Sequence, residues 1–176
     1  HSDKHANMTK MKYEDIKADI AASNEKLKKL TGKTPDLFRA PYGDYNNDVV
    51  KAAKSLSMFA IQWDVDSLDC KDLSAEDIKK RVVPKVQNGS IVLFHTDTLS
   101  TAKALPSIIK ELQEKGYELV TVGELIYKEN YSIDHTGKQS KVTAPTTAPP
   151  TTAEQTTAVP TTAAETKATE PTTKKK

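Results

Sequence analysis

His1 and His5 stand four residues apart. On a helical turn that spacing puts two imidazoles on one face, where both can ligate a metal such as zinc. Two solvated histidines at a frayed terminus would read the same way. Two ligands also do not complete a catalytic zinc site, which usually takes three protein groups and a water. His95 closes the apolar run Leu93-Phe94-His95. It reads either as a half-buried histidine satisfied by a neighbour or as a general acid, because an imidazole titrates near neutral pH and a nearby carboxylate can poise it. Asp66 and Asp69 are both placed to supply that carboxylate. Arg39 is one of only two arginines in the chain. His135 lies in a polar stretch after the last expected helix and is read as uninvolved.

These groups need elements to hold them, and the sequence alternates helix and strand signals. Residues 13–30 carry Ile16, Ile20, Leu27 and Leu30 at near-helical spacing, with Gly32 as a stop. Leu37-Phe38 is a short apolar stretch leading into Arg39-Ala40-Pro41-Tyr42-Gly43, whose Pro and Gly mark a loop. Residues 49–56 read as a second helix and 58–65 as a strand. Ser74, three residues before Asp77, resembles a capping box that opens a third helix, with Pro84 ending it. Residues 90–94 form a short apolar run of the buried parallel-strand kind. Residues 105–115 read as a helix with Pro106 in its first turn, stopped by Gly116. Residues 117–122 read as a strand and 124–128 as a short helix. Repeated β-then-α units predict a parallel sheet with helices outside it, open or closed as a barrel. In such folds the chemistry sits at the carboxyl ends of the strands. Arg39, Asp64, Asp66 and His95 all fall there.

Composition limits the function classes. Lys and Arg number 26 against 24 Asp and Glu, a formal net charge of +2, and no apolar run approaches the length of a bilayer span. Neither nucleic acid nor an anionic membrane surface is favoured. A single cysteine, Cys70, excludes an intrachain disulfide framework. The ends differ from the middle. The chain begins with His1 and carries no signal segment, so it reads as a processed chain, a fragment or an incompletely sequenced product. Of the 34 residues 143–176, 25 are Thr, Ala or Pro and none is aromatic. That composition predicts a disordered linker or stalk, open to O-glycosylation outside the cell. The expected organisation is a folded unit over 1–131, a polar connector over 132–142 and the stalk over 143–176.

Taken in order, His1-Ser2-x-x-His5, Arg39-Ala40-Pro41-Tyr42-Gly43, Trp63-Asp64-Val65-Asp66-Ser67-Leu68-Asp69 and Leu93-Phe94-His95 resemble the polysaccharide deacetylase family. This is the NodB-homology group, carbohydrate esterase family 4. The likeness runs over roughly residues 1–127 and implies an α/β fold, a distorted (β/α) barrel. It also implies zinc-assisted hydrolysis of acetamides on an N-acetylated sugar polymer, peptidoglycan or chitin-like, with Co2+ or another divalent transition metal able to replace Zn2+. By that resemblance His1 and His5 are metal ligands. Arg39 orients the carboxylate of the catalytic base, and the backbone N–H of Tyr42 helps hold the oxyanion. His95 protonates the leaving amine, with Asp66 tuning its basicity. Pro41, Tyr42, Trp63 and Leu93 form the substrate groove. The family carries an Asp-Asp pair, base and third zinc ligand, on a strand ahead of the first histidine motif. The sequence here starts at that motif, so the expectation is the C-terminal majority of a deacetylase domain, without its early strands. Cys70 stands where the family usually has an aromatic residue, which reshapes one wall of the groove.

The resemblance further implies an extracellular or cell-wall location, and a monomer is expected. Three other readings compete with N-deacetylation. One is an O-acetyl xylan esterase of the same fold. Another is a non-catalytic glycan-binding module displayed on the stalk. The third is a copper site built on the His1 amino group.

Overall fold

The computed structural model describes residues 1–142 apart from Asp97. The expected stalk over 143–176 lies outside the described residues. Apart from four single-turn 3-10 helices, eleven α-helices and strands follow one another: α1 Tyr13–Thr31, β1 Leu37–Arg39, α2 Asn47–Ser55, β2 Phe59–Ile61, β3 Val65–Asp66, α3 Ala75–Val82, β4 Val92–Leu93, α4 Leu99–Glu114, α5 Val122–Leu125, β5 Tyr131–Ile133 and β6 Gln139–Lys141.

The helix boundaries follow local chemistry. Glu14 and Asp15 in the first turn of α1, with Lys28 and Lys29 in its last, match the sign of the helix dipole. Gly32 ends α1 in the left-handed conformation at φ 73°. The Asn46 side chain caps α2 through the Val49 N–H, and Ser74 caps α3 through the Asp77 N–H. Thr121 and Glu124 form a reciprocal capping box on α5.

Two apolar clusters fill the interior. Ile16 and Ile20 of α1 pack with Met8, Phe38 of β1 and Val49, Ala52 and Ala53 of α2. Val65 of β3, Ile78 and Val82 of α3, and Ala104, Ile108 and Leu112 of α4 make the second. Both clusters back parallel strand pairs. β1 pairs with β2 in the register Leu37↔Phe59 to Arg39↔Ile61, and β3 pairs with β4 as Val65↔Val92 and Asp66↔Leu93. Among the described residues the strands form separate two-stranded pairs rather than one sheet. A cavity of about 340 Å3 is lined by residues of both parallel pairs, Phe38, Ile61 and Leu93 among them.

Several expectations change. The strand read over 58–65 is two strands, because its ends pair with different partners. Between them Gln62 Nε2 donates to the Gly43 carbonyl at 3.0 Å, and Asp64 Oδ1 accepts the Ile91 N–H at 2.8 Å. α4 begins at Leu99, which puts Pro106 inside the helix rather than in its first turn. Thr101, Ala104, Ile108 and Leu112 form one buried stripe, and that burial carries the helix back past the proline. Residues 117–121 form no strand and pair with none among the described residues. Tyr117 Oη instead donates to the Val86 carbonyl at 2.9 Å. The segment read as a polar connector carries an antiparallel hairpin, β5 on β6, with His135 in its turn. Leu27 and Leu30, read as part of the apolar stripe of α1, are exposed.

Candidate active site

The carboxyl ends of the parallel strands gather two clusters of functional groups. The first forms where β1 ends. His1 and His5 are not on a helix, contrary to their four-residue spacing. Ser2 and His5 both adopt left-handed backbone, at φ 65° and 51°, and the His5 N–H donates to Ser2 Oγ at 2.8 Å. This tight turn still brings the two imidazoles together, edge to face, with centroids 5.0 Å apart. His5 makes a second edge contact with Tyr42, centroid to centroid 4.8 Å.

Three contacts fix the turn. His1 Nδ1 lies 2.6 Å from the Arg39 carbonyl oxygen. A carbonyl only accepts, so Nδ1 carries the proton and Nε2 keeps its lone pair. The Asp3 N–H donates to Asp19 Oδ1 at 2.9 Å, and Lys26 Nζ pairs with Asp3 Oδ1 at 2.6 Å. Asp19 is buried on α1, in line with Ile16, Ile20 and Ser23, and its Oδ2 has no partner among the described residues. Through its Oδ1, Asp19 ties the His1–His5 turn to α1.

The loop after β1 is strained in a defined way. Tyr42 is left-handed at φ 61° and largely exposed, whereas Pro41 is buried. Gly43 follows at φ 69°, and a Cβ there would sit 2.6 Å from Trp63 Cη2. Glycine is therefore required both by conformation and by the approach of the indole. The Arg39 guanidinium lies 6.0 Å from the Trp63 ring centroid. Burial lowers the Arg39 pKa from its ordinary value. Asn7 Nδ2 donates to Asp44 Oδ2 at 2.8 Å and ties the histidine turn to this loop.

The second cluster forms where β3 and β4 end. Asp69 is its centre, with a side chain wholly removed from solvent. Its Oδ2 accepts the His95 backbone N–H at 2.8 Å and the Thr101 hydroxyl at 2.6 Å. Its Oδ1 lies 2.7 Å from His95 Nδ1. Burial acts to raise the Asp69 pKa, but the hydrogen bonds from Thr101, from the His95 N–H and ring, and from Ser67 outweigh it and hold the carboxyl down at about 2. An ionised carboxylate only accepts, so His95 Nδ1 carries the proton and Nε2 is the exchanging nitrogen. The His95 ring is 40% exposed, which leaves that nitrogen a route to a ligand.

Asp66 does not hold this ring. Its Oδ1 accepts the Leu68 N–H at 2.9 Å, bending the chain so that Leu68 turns left-handed at φ 51° and Asp69 swings inward. The carboxylate on His95 is thus Asp69, and Asp66 shapes the turn that delivers it. Of the remaining expected groups, His1, Arg39, Trp63 and Leu93 line the shared cavity. Pro41, Tyr42, His5, Asp66 and His95 are not among its lining residues. Asp19 and Thr101 went unread in the sequence. Asp19 left a trace as a lone carboxylate within an apolar helical stripe. Thr101 left none, since its partner is 32 residues away.

Metal-ligating capacity divides between the clusters. His1, with its tautomer fixed by a carbonyl, and His5 beside it suit an imidazole-binding cation. Among the described residues no third His, Cys, Asp or Glu joins them in a group whose ligand atoms lie within 4.8 Å of one another. The pair therefore fits two positions of a zinc shell. Asp69, Cys70 and His95 do form such a group.

Known proteins resemble this chain in sequence and in fold. The family model for polysaccharide deacetylase matches residues 1–61. A peptidoglycan-N-acetylglucosamine deacetylase of Listeria monocytogenes is 34% identical over 139 residues, which covers 79% of this chain and 28% of that protein. A peptidoglycan-N-acetylmuramic acid deacetylase of Bacillus subtilis is 33% identical over 125 residues, 71% of this chain and 26% of that one. Among solved structures, a CE4 family pseudoenzyme from Bacillus anthracis superposes with a TM-score of 0.69 at 34% identity, covering 71% of this chain and 44% of its own. The chain thus spans little more than a quarter of the length of either curated relative.

Proposed function

Because this chain belongs to the polysaccharide deacetylase family, we propose that it takes part in metal-dependent removal of N-acetyl groups from an N-acetylglucosamine-containing polysaccharide, peptidoglycan or chitin-like, outside the cell or in its wall. On the same reading the two parallel strand pairs are arcs of a distorted (β/α) barrel. The observation that carries the proposal is the Asp69–His95 pair at the carboxyl end of β4.

Hydrolysis adds water to the acetyl carbon, breaks the C–N bond and leaves acetate and an amine. An amine leaves poorly until it is protonated. His95 supplies that proton from Nε2, while Asp69 on Nδ1 stabilises the charged ring and keeps its orientation. The Tyr42 N–H, in the left-handed turn after β1, donates to the oxygen that gains charge in the transition state. Arg39 presents its guanidinium to the carboxylate of the base. Pro41, Trp63 and Leu93 shape the groove around the sugar and the acetyl methyl group. His1 and His5 would hold Zn2+, or Co2+ in its place, which when bound supplies a Lewis acid for the acetyl carbonyl.

The test is acetate release from N-acetylglucosamine oligomers by the full-length protein loaded with zinc, with O-acetyl xylan assayed beside it. His95→Ala is expected to lower turnover on the order of 10²–10⁴-fold. Full activity in that variant would remove His95 as the acid. A second reading, a glycan-binding module without turnover, is favoured by the likeness to a pseudoenzyme. Oligomer binding with no acetate release from the zinc-loaded protein would select it.

A further inference from the structure

Asp69, Cys70 and His95 each place one ligand atom within 4.8 Å of the others, and Cys70 takes no part in the proposed hydrolysis. We infer that these three side chains form a second metal site, for a thiophilic divalent cation such as zinc or cadmium, separate from His1 and His5 and built on the proton-transferring histidine itself.

The donor set carries the chemistry. A thiolate beside an imidazole selects a soft or borderline cation over magnesium or calcium, which take oxygen ligands. Zinc bonds of about 2.0–2.3 Å in a tetrahedron put neighbouring ligand atoms roughly 3–4 Å apart. The three atoms are thus within about 1 Å of a binding arrangement. Cys70 is exposed, so rotation about its χ1 supplies the closure. The other two partners are already fixed. Asp69 is clamped by Thr101 and by the His95 N–H. The turn Asp69–Lys71 that presents Cys70 is bounded by left-handed residues on both sides, Leu68 at φ 51° and Asp72 at φ 53°. The site is open on the Cys70 side, so water or a buffer anion completes the shell.

Occupancy has a direct consequence for the proposed reaction, and only this part rests on that reading. A cation on the His95 ring takes the lone pair that a proton would use. Metal beyond what fills the His1–His5 site would then inhibit.

Binding is testable without activity. The full chain, kept reduced with a phosphine, is titrated with cadmium while the ultraviolet cadmium–thiolate charge-transfer band is recorded. The expected result is one band per chain. It is absent in Cys70→Ser and unchanged in the His1→Ala/His5→Ala double variant. It is weakened at least tenfold in affinity in His95→Gln, which keeps a donor for Asp69 while removing the imidazole. Wild-type affinity in His95→Gln would reduce the site to a lone thiol and overturn the inference. No band in the wild-type chain would overturn it outright. Neither result depends on whether the protein hydrolyses a glycan.

Discussion

Asp69 is the residue on which the second cluster turns. His95, through its backbone N–H and its ring, and Thr101 all reach one buried carboxylate, which ties β4 and α4 to the turn that carries Asp69. Thr101→Val keeps the shape of the side chain but removes a hydrogen bond to a charged, buried group. A loss of about 1.5–3 kcal/mol is expected, read as a lower denaturant midpoint at neutral pH. The acid limb of stability belongs to the same group. Its folded pKa of about 2 lies below the ordinary 3.8, so the folded state binds its proton less readily than the unfolded chain. The contribution, about 2 kcal/mol, is complete above the ordinary value and disappears as pH falls from about 5 towards 2. Asp69→Asn should flatten that limb, and an unchanged pH profile would contradict the assignment. Sequence reading brought both Asp66 and Asp69 to the vicinity of His95 but could not divide their roles. The two stand three residues apart, and the division is made by the left-handed Leu68 between them, which no side-chain pattern announces. The histidine turn was opaque for the same reason. Ser2 and His5 at positive φ replace the helix that four-residue spacing suggests.

At the scale of elements, the strand–turn units hold the site by close backbone approach as much as by side chains. The turn Pro41–Gly43 abuts Trp63, which follows β2, and Gly43 leaves no room for a methyl group. Gly43→Ala must add strain at φ 69° and displace the indole. A cost of more than about 1 kcal/mol is expected, with a changed emission spectrum from Trp63, the single tryptophan of the chain. Native-like emission and stability would show that the turn yields instead. Elements with caps or stops were legible: α1 with Gly32, α3 with Ser74, the strand before Arg39. Those decided by pairing were not. Residues 117–121 have strand composition yet find no strand partner among the described residues, whereas polar residues 131–141 pair with each other. β-propensity describes a half-buried pleated surface, and only tertiary structure says where that surface is.

At the scale of the molecule, two apolar clusters stand behind two strand pairs, one under each part of the site. Ile20→Ala in the first and Ile78→Ala in the second each remove a fully buried branched side chain and should cost about 2–5 kcal/mol. If residues 1–142 unfold as one cooperative unit, both variants lower the same transition, whether it is followed by Trp63 emission or by helical circular dichroism. Two separated transitions in either variant would show that the clusters melt independently. The alternation of strand and helix made this layout readable, since parallel pairs backed by helices follow from it. α1 does not spend its whole length on that packing. Beyond Ser23 it has no buried residue, yet it continues as regular helix to Thr31. Two turns of helix thus rest on intrinsic propensity, the Gly32 stop and partly exposed polar contacts. In time rather than in space, this means that amides of residues 27–31 should exchange with solvent deuterium through local opening, orders of magnitude faster than those around Ile20. The histidine turn would register the event only through the Lys26–Asp3 pair, because its other anchor, Asp19, lies on the slow half of the same helix.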